Sequence, residues 1–289
     1  MKYSNSRNLP EPLCSAIRRD TYDKGDSKIS CTGLLRPPRI AALTDTFDDM
    51  IVRDYSKEVW SLFGRAVHHI IENAHAEGYT MEERYFTDVE GWRISGQIDA
   101  RQEMNDGSSE ITDWKTRKAY GVMNNAEHDE QQTNIYAFLL RRNGIRVSRL
   151  QIINLIKDWS AREAERREDY PDSEVFVQEI PLWSQEKAEE FVRERVLLHQ
   201  RAREGELPEC TDEERWLRDD KFAVNKEGRK SAVRLFDSEE EATTFVKALK
   251  DPKKHSIQHR RGTNVRCESF CDVAEFCLQF QSIKETQHE

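Results

Sequence analysis

Apolar and polar positions along the chain alternate with two different periods, which predicts both helices and strands. From Val59 to Ala76 the apolar residues recur at helical spacing, so this segment is predicted to be an amphipathic helix. From Gly96 to Thr116, two β-prone runs flank Asn105-Asp106-Gly107, a composition typical of a β-hairpin. Val147 to Trp159 and Val175 to Trp183 are rich in apolar and β-branched residues, which predicts two further strands of the same sheet.

These elements predict an α/β fold with three parts. Residues 1–27 are polar and are expected to form an irregular arm. Residues 28–205 are expected to form an α/β core, in which Ile29 to Leu35 reads as a short strand and Arg39 to Arg53 as a helix. The sequence pattern changes in residues 206–289, which are expected to form a small C-terminal subdomain with a hairpin, a helix and clustered cysteines.

Composition and charge limit the classes of function. The 289 residues carry 45 basic and 54 acidic side chains, a net charge of -9, which argues against a protein that coats nucleic acid non-specifically. A metal-binding cleft can itself be acidic, so the balance does not exclude a nuclease. The mean hydropathy is -0.85, and no secretory signal or membrane span is recognised, so a cytoplasmic protein that does not contact membrane is expected.

The hairpin from Gly96 to Thr116 carries the residues best suited to catalysis. Its first run presents Asp99, and its second presents Asp113 and Lys115, which share one face of a strand because they are two residues apart. Two carboxylates form a hard-oxygen site suited to Mg²⁺ or Mn²⁺. The lysine could orient a nucleophilic water or stabilise charge on a phosphate under attack. The alternative interpretation is an ordinary charged surface hairpin.

Two predicted helices carry further candidates. His68 lies at the border of the apolar stripe from Val59 to Ala76, where it could be a metal ligand or a structural histidine, and His69 could take the same role. Gln132 and Tyr136 are four residues apart and therefore share one helix face. The alternative for this pair is a half-buried tyrosine beside a polar neighbour.

Cysteines near the C-terminus suggest a second metal site. Cys267, Cys271 and Cys277 form a C-x3-C-x5-C pattern, and in a reducing compartment such cysteines are more often metal ligands than disulfides. Zinc or an iron–sulfur cluster would suit this spacing. The alternative is that Cys271 and Cys277 are small core residues of a helix.

Together, four short motifs resemble the PD-(D/E)XK nuclease superfamily and its RecB-type, CRISPR-associated-exonuclease-like branch. Asp99 stands for the first acidic motif and Asp113-Trp114-Lys115 for the (D/E)xK motif. Gly64 to Glu72 is similar to the G-x-x-x-H-x-x-x-E helix of the branch, and Gln132 to Tyr136 to its Q-x-x-x-Y helix. The resemblance implies a restriction-endonuclease-like core, that is, a central mixed β-sheet flanked by helices.

The resemblance also implies roles for individual residues. His68, Asp99 and Asp113, with a backbone carbonyl assigned to Thr112, would bind Mg²⁺ or Mn²⁺. Lys115 would position the attacking water. In addition, Gln132 and Tyr136 would hold the DNA.

Members of the branch hold a [4Fe–4S] cluster with three C-terminal cysteines and one cysteine before the core. This chain departs from that pattern, because its C-terminal spacing is longer by one residue and Arg36-Pro37-Pro38-Arg39 contains no cysteine. Cys210 is our first choice for the fourth ligand beside Cys267, Cys271 and Cys277, with Cys31 second and Cys14 third. Zinc is the alternative to the cluster.

The expected function is a metal-dependent DNA exonuclease, encoded by a phage or mobile element and acting in DNA recombination, repair or degradation. It is expected to act on DNA in the host cytoplasm, with a recombination protein as a possible partner. Two alternatives remain open: a non-catalytic DNA-binding accessory protein that has kept the fold, and a metal- or redox-sensing protein that uses the cysteine site.

Overall fold

The computed structural model describes residues 2–19 and 23–288, and their elements fall into two units, Met1–Pro208 and Glu209–Glu289. The strands of the first unit are β1 (Lys2–Ser4), β2 (Ile29–Ser30), β3 (Val52–Asp54), β4 (Tyr79–Val89), β5 (Trp92–Glu103), β6 (Ser109–Arg117), β7 (Val147–Ile156) and β8 (Val175–Ile180). Its helices are α1 (Glu11–Arg18), α2 (Cys31–Leu35), α3 (Pro38–Thr46), α4 (Val59–Glu72), α5 (Ala119–Asn124), α6 (Ala126–Arg142), α7 (Ala161–Ala164) and α8 (Gln185–Arg203).

A six-stranded mixed sheet organises the first unit. Its strand order is β2-β5-β6-β7-β8, and β4 pairs with β5. Strand β6 is antiparallel to β5 but parallel to β7, and β8 closes the sheet antiparallel to β7. Helices flank this sheet, so the prediction of an α/β fold with a central mixed sheet is confirmed.

Strand β5 pairs with β4 along one edge and with two strands, β2 and β6, along the other edge. Strand β4 pairs with β5 from Tyr79–Gln102 to Val89–Trp92, along almost the whole of one edge. On the other edge, β2 pairs at residues 94–95 and β6 pairs at residues 100–103. On this second edge, between the two ladders, no strand of the described part of the chain pairs with residues 96–99 of β5. This gap lies at Asp99.

Helix α6 packs against the sheet at a glycine. A Cβ atom on Gly96 of β5 would lie 2.6 Å from Cδ1 of Leu139 and 3.0 Å from the ring of Tyr136. Both of these side chains are buried in the main core of the unit. The missing side chain at position 96 therefore lets α6 approach β5 closely, and it places the Tyr136 side of α6 over the gap.

Three elements differ from the sequence-based expectations. Helix α3 ends at Thr46 rather than at Arg53, and residues 52–54 instead form β3, which pairs with β1 of the supposedly irregular arm. The predicted strand from Ile29 to Leu35 is only two residues long, because the Ser30 hydroxyl accepts a hydrogen bond from the Gly33 N–H and begins α2.

Strand β4 was not recognised in the sequence. Its signal is a β-prone run, Tyr79 to Val89, followed by Glu90-Gly91 and the start of β5. Glu90 and Gly91 both have positive φ angles, 48° and 75°, as a two-residue hairpin turn requires. Glutamate is uncommon at such a position, which hides the turn from composition rules.

The second unit contains a small three-stranded sheet. The strands of this unit are β9 (Leu217–Arg218), β10 (Lys221–Lys226), β11 (Arg234–Phe236), β12 (His255–Arg260) and β13 (Thr263–Asn264), of which β9 and β13 form a separate two-stranded sheet. The helices of the unit are α9 (Asp212–Arg215), α10 (Glu239–Lys247), α11 (Val265–Ser269) and α12 (Leu278–His288). The predicted hairpin is present as β10 and β11, and β12 pairs with the other edge of β10. No helix among the described residues is long and apolar enough to cross a lipid bilayer.

The close approach at Gly96 leads to a stability prediction. Gly96→Val should lower the free energy of unfolding by about 1–3 kcal/mol, because the added atoms overlap Leu139 and Tyr136. Gly64→Ala is the matched control, since nothing lies within 4 Å of a Cβ there and alanine in a helix is better than glycine by roughly 0.5–1 kcal/mol. Urea unfolding measures both. A Gly96→Val protein as stable as the parent would contradict this account of the packing.

Candidate active site

Asp113 and Lys115 lie on the same face of β6 and form an ion pair. The Lys115 Nζ atom is 2.9 Å from Oδ2 of Asp113. Asp113 is buried and Lys115 is partly buried, so the pair is shielded from bulk water. The strand periodicity inferred from the sequence thus brings these two side chains together.

Asp99 and His68 meet at the backbone of Trp114. The last β5–β6 pair is Ala100 with Thr112, so β6 leaves β5 just before Trp114. The Trp114 N–H then donates to Oδ2 of Asp99 at 2.8 Å, and the Trp114 carbonyl oxygen lies 3.0 Å from Nε2 of His68. Departure of β6 from β5 therefore makes the backbone of Trp114 available to the side chains of the site.

A third potential ligand, Glu82, completes a group that fits a divalent cation. The Nδ1 atom of His68 is 3.6 Å from Oδ2 of Asp99 and 3.8 Å from Oε1 of Glu82. One ligand atom from each of these three residues lies within 4.8 Å of the other two. Carboxylate oxygens with one imidazole suit Mg²⁺ or Mn²⁺, so the side chains present fit such an ion.

Glu82 was missed because β4 was missed. It stands opposite Asp99 in the β4–β5 ladder, between the pairs Met81–Ala100 and Glu83–Ile98. Its φ angle of 51° places it in the left-handed region, which a non-glycine residue rarely occupies without a compensating constraint. The strand pattern from Tyr79 to Val89 is the signal that could have revealed it.

Burial and neighbouring negative charges make the ionised form of the Asp99 carboxylate unfavourable in this site. Burial, and then the neighbouring Asp113, raise the pKa of Asp99 to about 7. The nearby carboxylate of Glu82, followed by the charges of Asp99 and Asp113, raises the pKa of His68 above its usual value in spite of burial. A divalent cation would relieve this concentration of negative charge.

Lys115 is held as an ammonium ion. Burial alone lowers the pKa of this group, but the carboxylates of Asp113, Asp99 and Asp129 together raise it above its usual value. The Nζ atom also donates a hydrogen bond to Oε1 of Gln132 at 2.9 Å. These contacts fix the direction of a positive charge beside Asp113.

Gln132 and Tyr136 lie beneath the ion pair. The Gln132 Nε2 atom donates to Oδ1 of Asp113 at 3.1 Å and to the Tyr136 hydroxyl at 2.9 Å. Both side chains are buried, and burial raises the pKa of Tyr136 well above its usual value. The prediction that they hold DNA therefore has no exposed surface to support it, and their contacts instead orient Asp113 and Lys115.

The backbone carbonyl beside His68 belongs to Trp114, whereas the sequence-based assignment was Thr112. Thr112 is still paired with Ala100 of β5, and its hydroxyl accepts a hydrogen bond from Nε2 of Gln151. The side-chain pattern carries no information on which carbonyl reaches the site, because that depends on where the two strands separate.

The cysteines of the second unit lie near one another. Burial, and then Cys271 and Cys277, raise the pKa of Cys267 to about 11. Cys210 is buried, and its backbone N–H and carbonyl both bond to the side chain of Gln279, two residues after Cys277.

The spacing of these sulfurs differs from that of a closed zinc site. Tetrahedral zinc with bonds of about 2.3 Å would bring its sulfurs to within ~4 Å of one another. Among the described residues, no three cysteine sulfurs lie within 4.8 Å of each other. A cubane cluster holds its thiolates farther apart, because each binds a different iron atom.

The two other candidate cysteines lie in the first unit. The Cys31 thiol is buried beside the active site and donates to the Gln132 carbonyl oxygen at 3.6 Å. Burial, and then the charge of Asp113, raise the pKa of this thiol well above its usual value. Cys14 packs with Ile17 and Tyr55 in a separate small cluster.

Comparison with known proteins identifies the family. The model of the PD-(D/E)XK nuclease superfamily matches residues 39–278, which is most of the chain. The chain therefore belongs to the PD-(D/E)XK nuclease superfamily, and its fold is the restriction-endonuclease-like one that the motifs implied. This membership supports hydrolytic nuclease activity, and nucleases of the superfamily use divalent metal ions. No curated protein sequence matches the chain.

Two solved structures are similar to parts of the chain. The protein SSO0001 is 16% identical, with 64% of this chain and 84% of that chain covered and a TM-score of 0.46. The protein from Eubacterium rectale named "Putative exonuclease" is 12% identical, with 49% of this chain and 50% of that chain covered and a TM-score of 0.31.

The crowded carboxylates lead to a prediction for the metal-free protein. Asp99→Asn should raise the melting temperature in EDTA, because it removes a charge that burial and Asp113 make unfavourable while leaving an oxygen to accept from the Trp114 N–H. Each kcal/mol gained corresponds to about 2–4 °C for a protein of this size. The same substitution should reduce the stabilisation that Mn²⁺ gives.

Differential scanning fluorimetry with EDTA and with Mn²⁺ measures both effects. Asp88→Asn, on the exposed part of β4, is the control and should change neither temperature. A melting temperature of Asp99→Asn that stays at or below the parent value in EDTA would contradict the electrostatic account.

Proposed function

We propose that this protein is a metal-dependent DNA exonuclease that hydrolyses phosphodiester bonds. The observation that carries the proposal is the convergence of Asp99, Asp113, Lys115 and His68 at the gap in the sheet of a PD-(D/E)XK protein. Each side chain is of the type that phosphodiester hydrolysis requires: oxygen ligands for a cation and a fixed positive charge.

The ligands that we assign to the cation are the side chains of His68, Glu82, Asp99 and Asp113, with the carbonyl of Trp114 in place of Thr112. When bound, Mg²⁺ or Mn²⁺ would polarise the phosphate and lower the pKa of a water molecule. The imidazole would bind as the neutral species, so it gives up the proton that Glu82 and Asp99 favour in the metal-free protein.

Lys115 acts as a hydrogen-bond donor rather than as a base, because its carboxylate neighbours keep it protonated. Its Nζ atom is already directed by Asp113 and Gln132, so little side-chain ordering is left to occur when substrate binds. Tyr136 holds the Gln132 amide from below and thereby keeps the ion pair in one orientation. Gln132 and Tyr136 are thus positioning residues.

The biological setting that we propose is recombination, repair or degradation of phage or mobile-element DNA in the host cytoplasm, together with a recombination protein. Its support is the resemblance of the motif set to the RecB-type branch. Within the chain, residues 28–205 carry the chemistry, and residues 206–289 form an accessory subdomain.

Lys115→Ala tests the active site. It should reduce the rate of DNA cleavage by at least ~10²-fold, the order expected when a fixed electrostatic donor is removed, while leaving the fold intact. Release of nucleotides from end-labelled DNA with Mn²⁺ measures the rate, and EDTA should abolish it. Lys187→Ala, an exposed lysine of α8, is the matched control and should cleave at the parent rate.

A Lys115→Ala protein that digests DNA at the parent rate would overturn the assignment. Protein that binds DNA without cleaving it would favour the accessory-protein alternative. Rising salt should weaken cleavage by the parent, because phosphate contacts release counterions.

For the second unit we propose a structural metal site made of Cys210, Cys267, Cys271 and Cys277. A [4Fe–4S] cluster is our first choice, and its support is the resemblance to the RecB-type branch together with the proximity of Cys267 to Cys271 and Cys277. Such a site would tie the end of the chain to the segment that begins the unit.

Elemental analysis of anaerobically purified protein tests this site. We expect about four iron atoms per chain and a brown protein, and Cys271→Ser should lose the iron, whereas Cys14→Ala should retain it. One zinc and no iron would select zinc instead. Folded, active protein with neither metal would make these cysteines ordinary core residues and would remove the sensing alternative as well.

A further inference from the structure

Helix α4 exposes two aromatic rings that the proposed chemistry does not use. Trp60 is 61% exposed and Phe63 is 45% exposed, and their ring centroids lie 6.3 Å apart in an edge-to-face arrangement. No residue of α4 is fully buried, although the helix is strongly amphipathic in sequence. A helix normally covers its apolar stripe, so an aromatic pair left in water points to a binding surface.

A lysine lies over both rings. The Lys157 Nζ atom is 4.0 Å from the centroid of Trp60 and 6.0 Å from that of Phe63. The backbone N–H of Lys157 donates to the Arg117 carbonyl oxygen at 3.1 Å, which fixes the residue at the ends of β6 and β7. The surface therefore combines π faces with a cation whose backbone is anchored to the sheet.

Further positive charge lies beside Lys157. Partial burial, and then the charge of Lys118, lower the pKa of Lys157 below its usual value. The neighbouring carboxylate of Asp158 accepts a hydrogen bond from the Ala119 N–H. Within the described ranges, no carboxylate lies within ion-pair distance of the ammonium group of Lys157 or Lys118. Among the described residues the patch is thus cationic, and Asp158 offsets its charge only in part.

This surface and the candidate active site share two elements, α4 and β6. Trp60 precedes His68 by eight residues of the same helix, which corresponds to about 12 Å along its axis. Lys157 bonds to Arg117, two residues beyond Lys115 on β6. At roughly 3.4 Å per stacked nucleotide, the distance of about 12 Å from Trp60 to His68 along the helix axis equals about three to four nucleotides of one strand.

We propose that Trp60, Phe63 and Lys157 form a stacking platform for unpaired bases of a single DNA strand whose scissile phosphate lies at the active site. The platform rests on the proposed nuclease function and specifies its substrate as single-stranded DNA or a frayed end. Exposed rings can stack on any unpaired base, whereas a duplex keeps its base faces covered. The cationic groups match the phosphates between those bases.

A second copy of this chain is the competing occupant. An apolar protein interface would leave Lys157 and Lys118 to be neutralised by carboxylates of the partner, and interface cores are depleted in such charges. A nucleic acid strand supplies both π faces and negative charge in one ligand. The chemistry of the surface therefore favours the strand.

The test measures binding of labelled oligothymidine and of a blunt duplex of the same length to full-length Lys115→Ala protein, which cannot digest the probe. Trp60→Ala in that background should weaken single-strand binding by roughly 5- to 100-fold, the range for loss of a base-stacking ring, and duplex binding by less than twofold. Trp60→Phe should retain most of the affinity.

Two further variants separate stacking from general apolarity and from charge. Ile70→Ala on the same helix removes a side chain that is 71% exposed but has no π face, and it should leave single-strand affinity unchanged. Lys157→Gln should weaken binding and reduce the slope of log affinity against log salt by about one. Quenching of tryptophan fluorescence by oligothymidine should be smaller in Trp60→Phe than in the parent.

Several outcomes would overturn the platform. The first is that Trp60→Ala binds single-stranded DNA as tightly as the parent. The second is that Trp60→Ala loses as much affinity for the duplex as for the single strand. The third is that the parent is a dimer and Trp60→Ala is a monomer. Failure of the proposed function is recognised separately, because it would appear as absence of cleavage by the wild-type protein with Mn²⁺. The binding comparison decides the platform in either case.

Discussion

The separation of β6 from β5 is the constraint on which the site depends. Strand β6 pairs with β5 only as far as Thr112 and then continues along β7. Its departure leaves the N–H and carbonyl of Trp114 without strand partners on the β5 side, and the side chains of Asp99 and His68 occupy those positions. If β5 and β6 stayed paired to their ends, the carboxylates of Asp99 and Asp113 would lie on a continuous sheet with no room for a cation.

The same gap explains the electrostatic character of the site. Three acidic side chains and an imidazole converge where α6 and the sheet exclude water, and burial raises the pKa of Asp99 to about 7. Folding alone does not favour this arrangement, since buried carboxylates without a cation reduce stability. The neighbouring ion pair of Lys115 compensates only part of the charge. A divalent cation of the kind that nucleases of the superfamily use would offset this charge, and the metal-free site therefore lowers stability.

Strand and helix periodicity located most of the candidate residues, because periodicity decides which side chains share a face. Asp113 and Lys115 were predicted together with Asp99 because residues two apart on a strand lie on the same face. His68 was predicted from its position at the border of the apolar stripe of a helix. Glu82 was missed although Tyr79 to Val89 is β-prone, since the strand begins without a clear alternation and the backbone of Glu82 is left-handed. The choice between the carbonyls of Thr112 and Trp114, and the burial of Gln132 and Tyr136, depend on where strands separate and on how closely α6 approaches Gly96. These are tertiary properties, and no local pattern encodes them.

Helix α4 shows how one element can serve both chemistry and recognition. One side presents His68 to the sheet, and another presents Trp60 and Phe63 to water under Lys157. Helices in proteins gain most of their stability from burying an apolar face, and α4 buries none of its residues fully. A strand that covers these rings would therefore add packing to the helix that carries His68. If both proposals hold, binding of the strand and ordering of the metal site would be linked through α4, because each would stabilise the same helix.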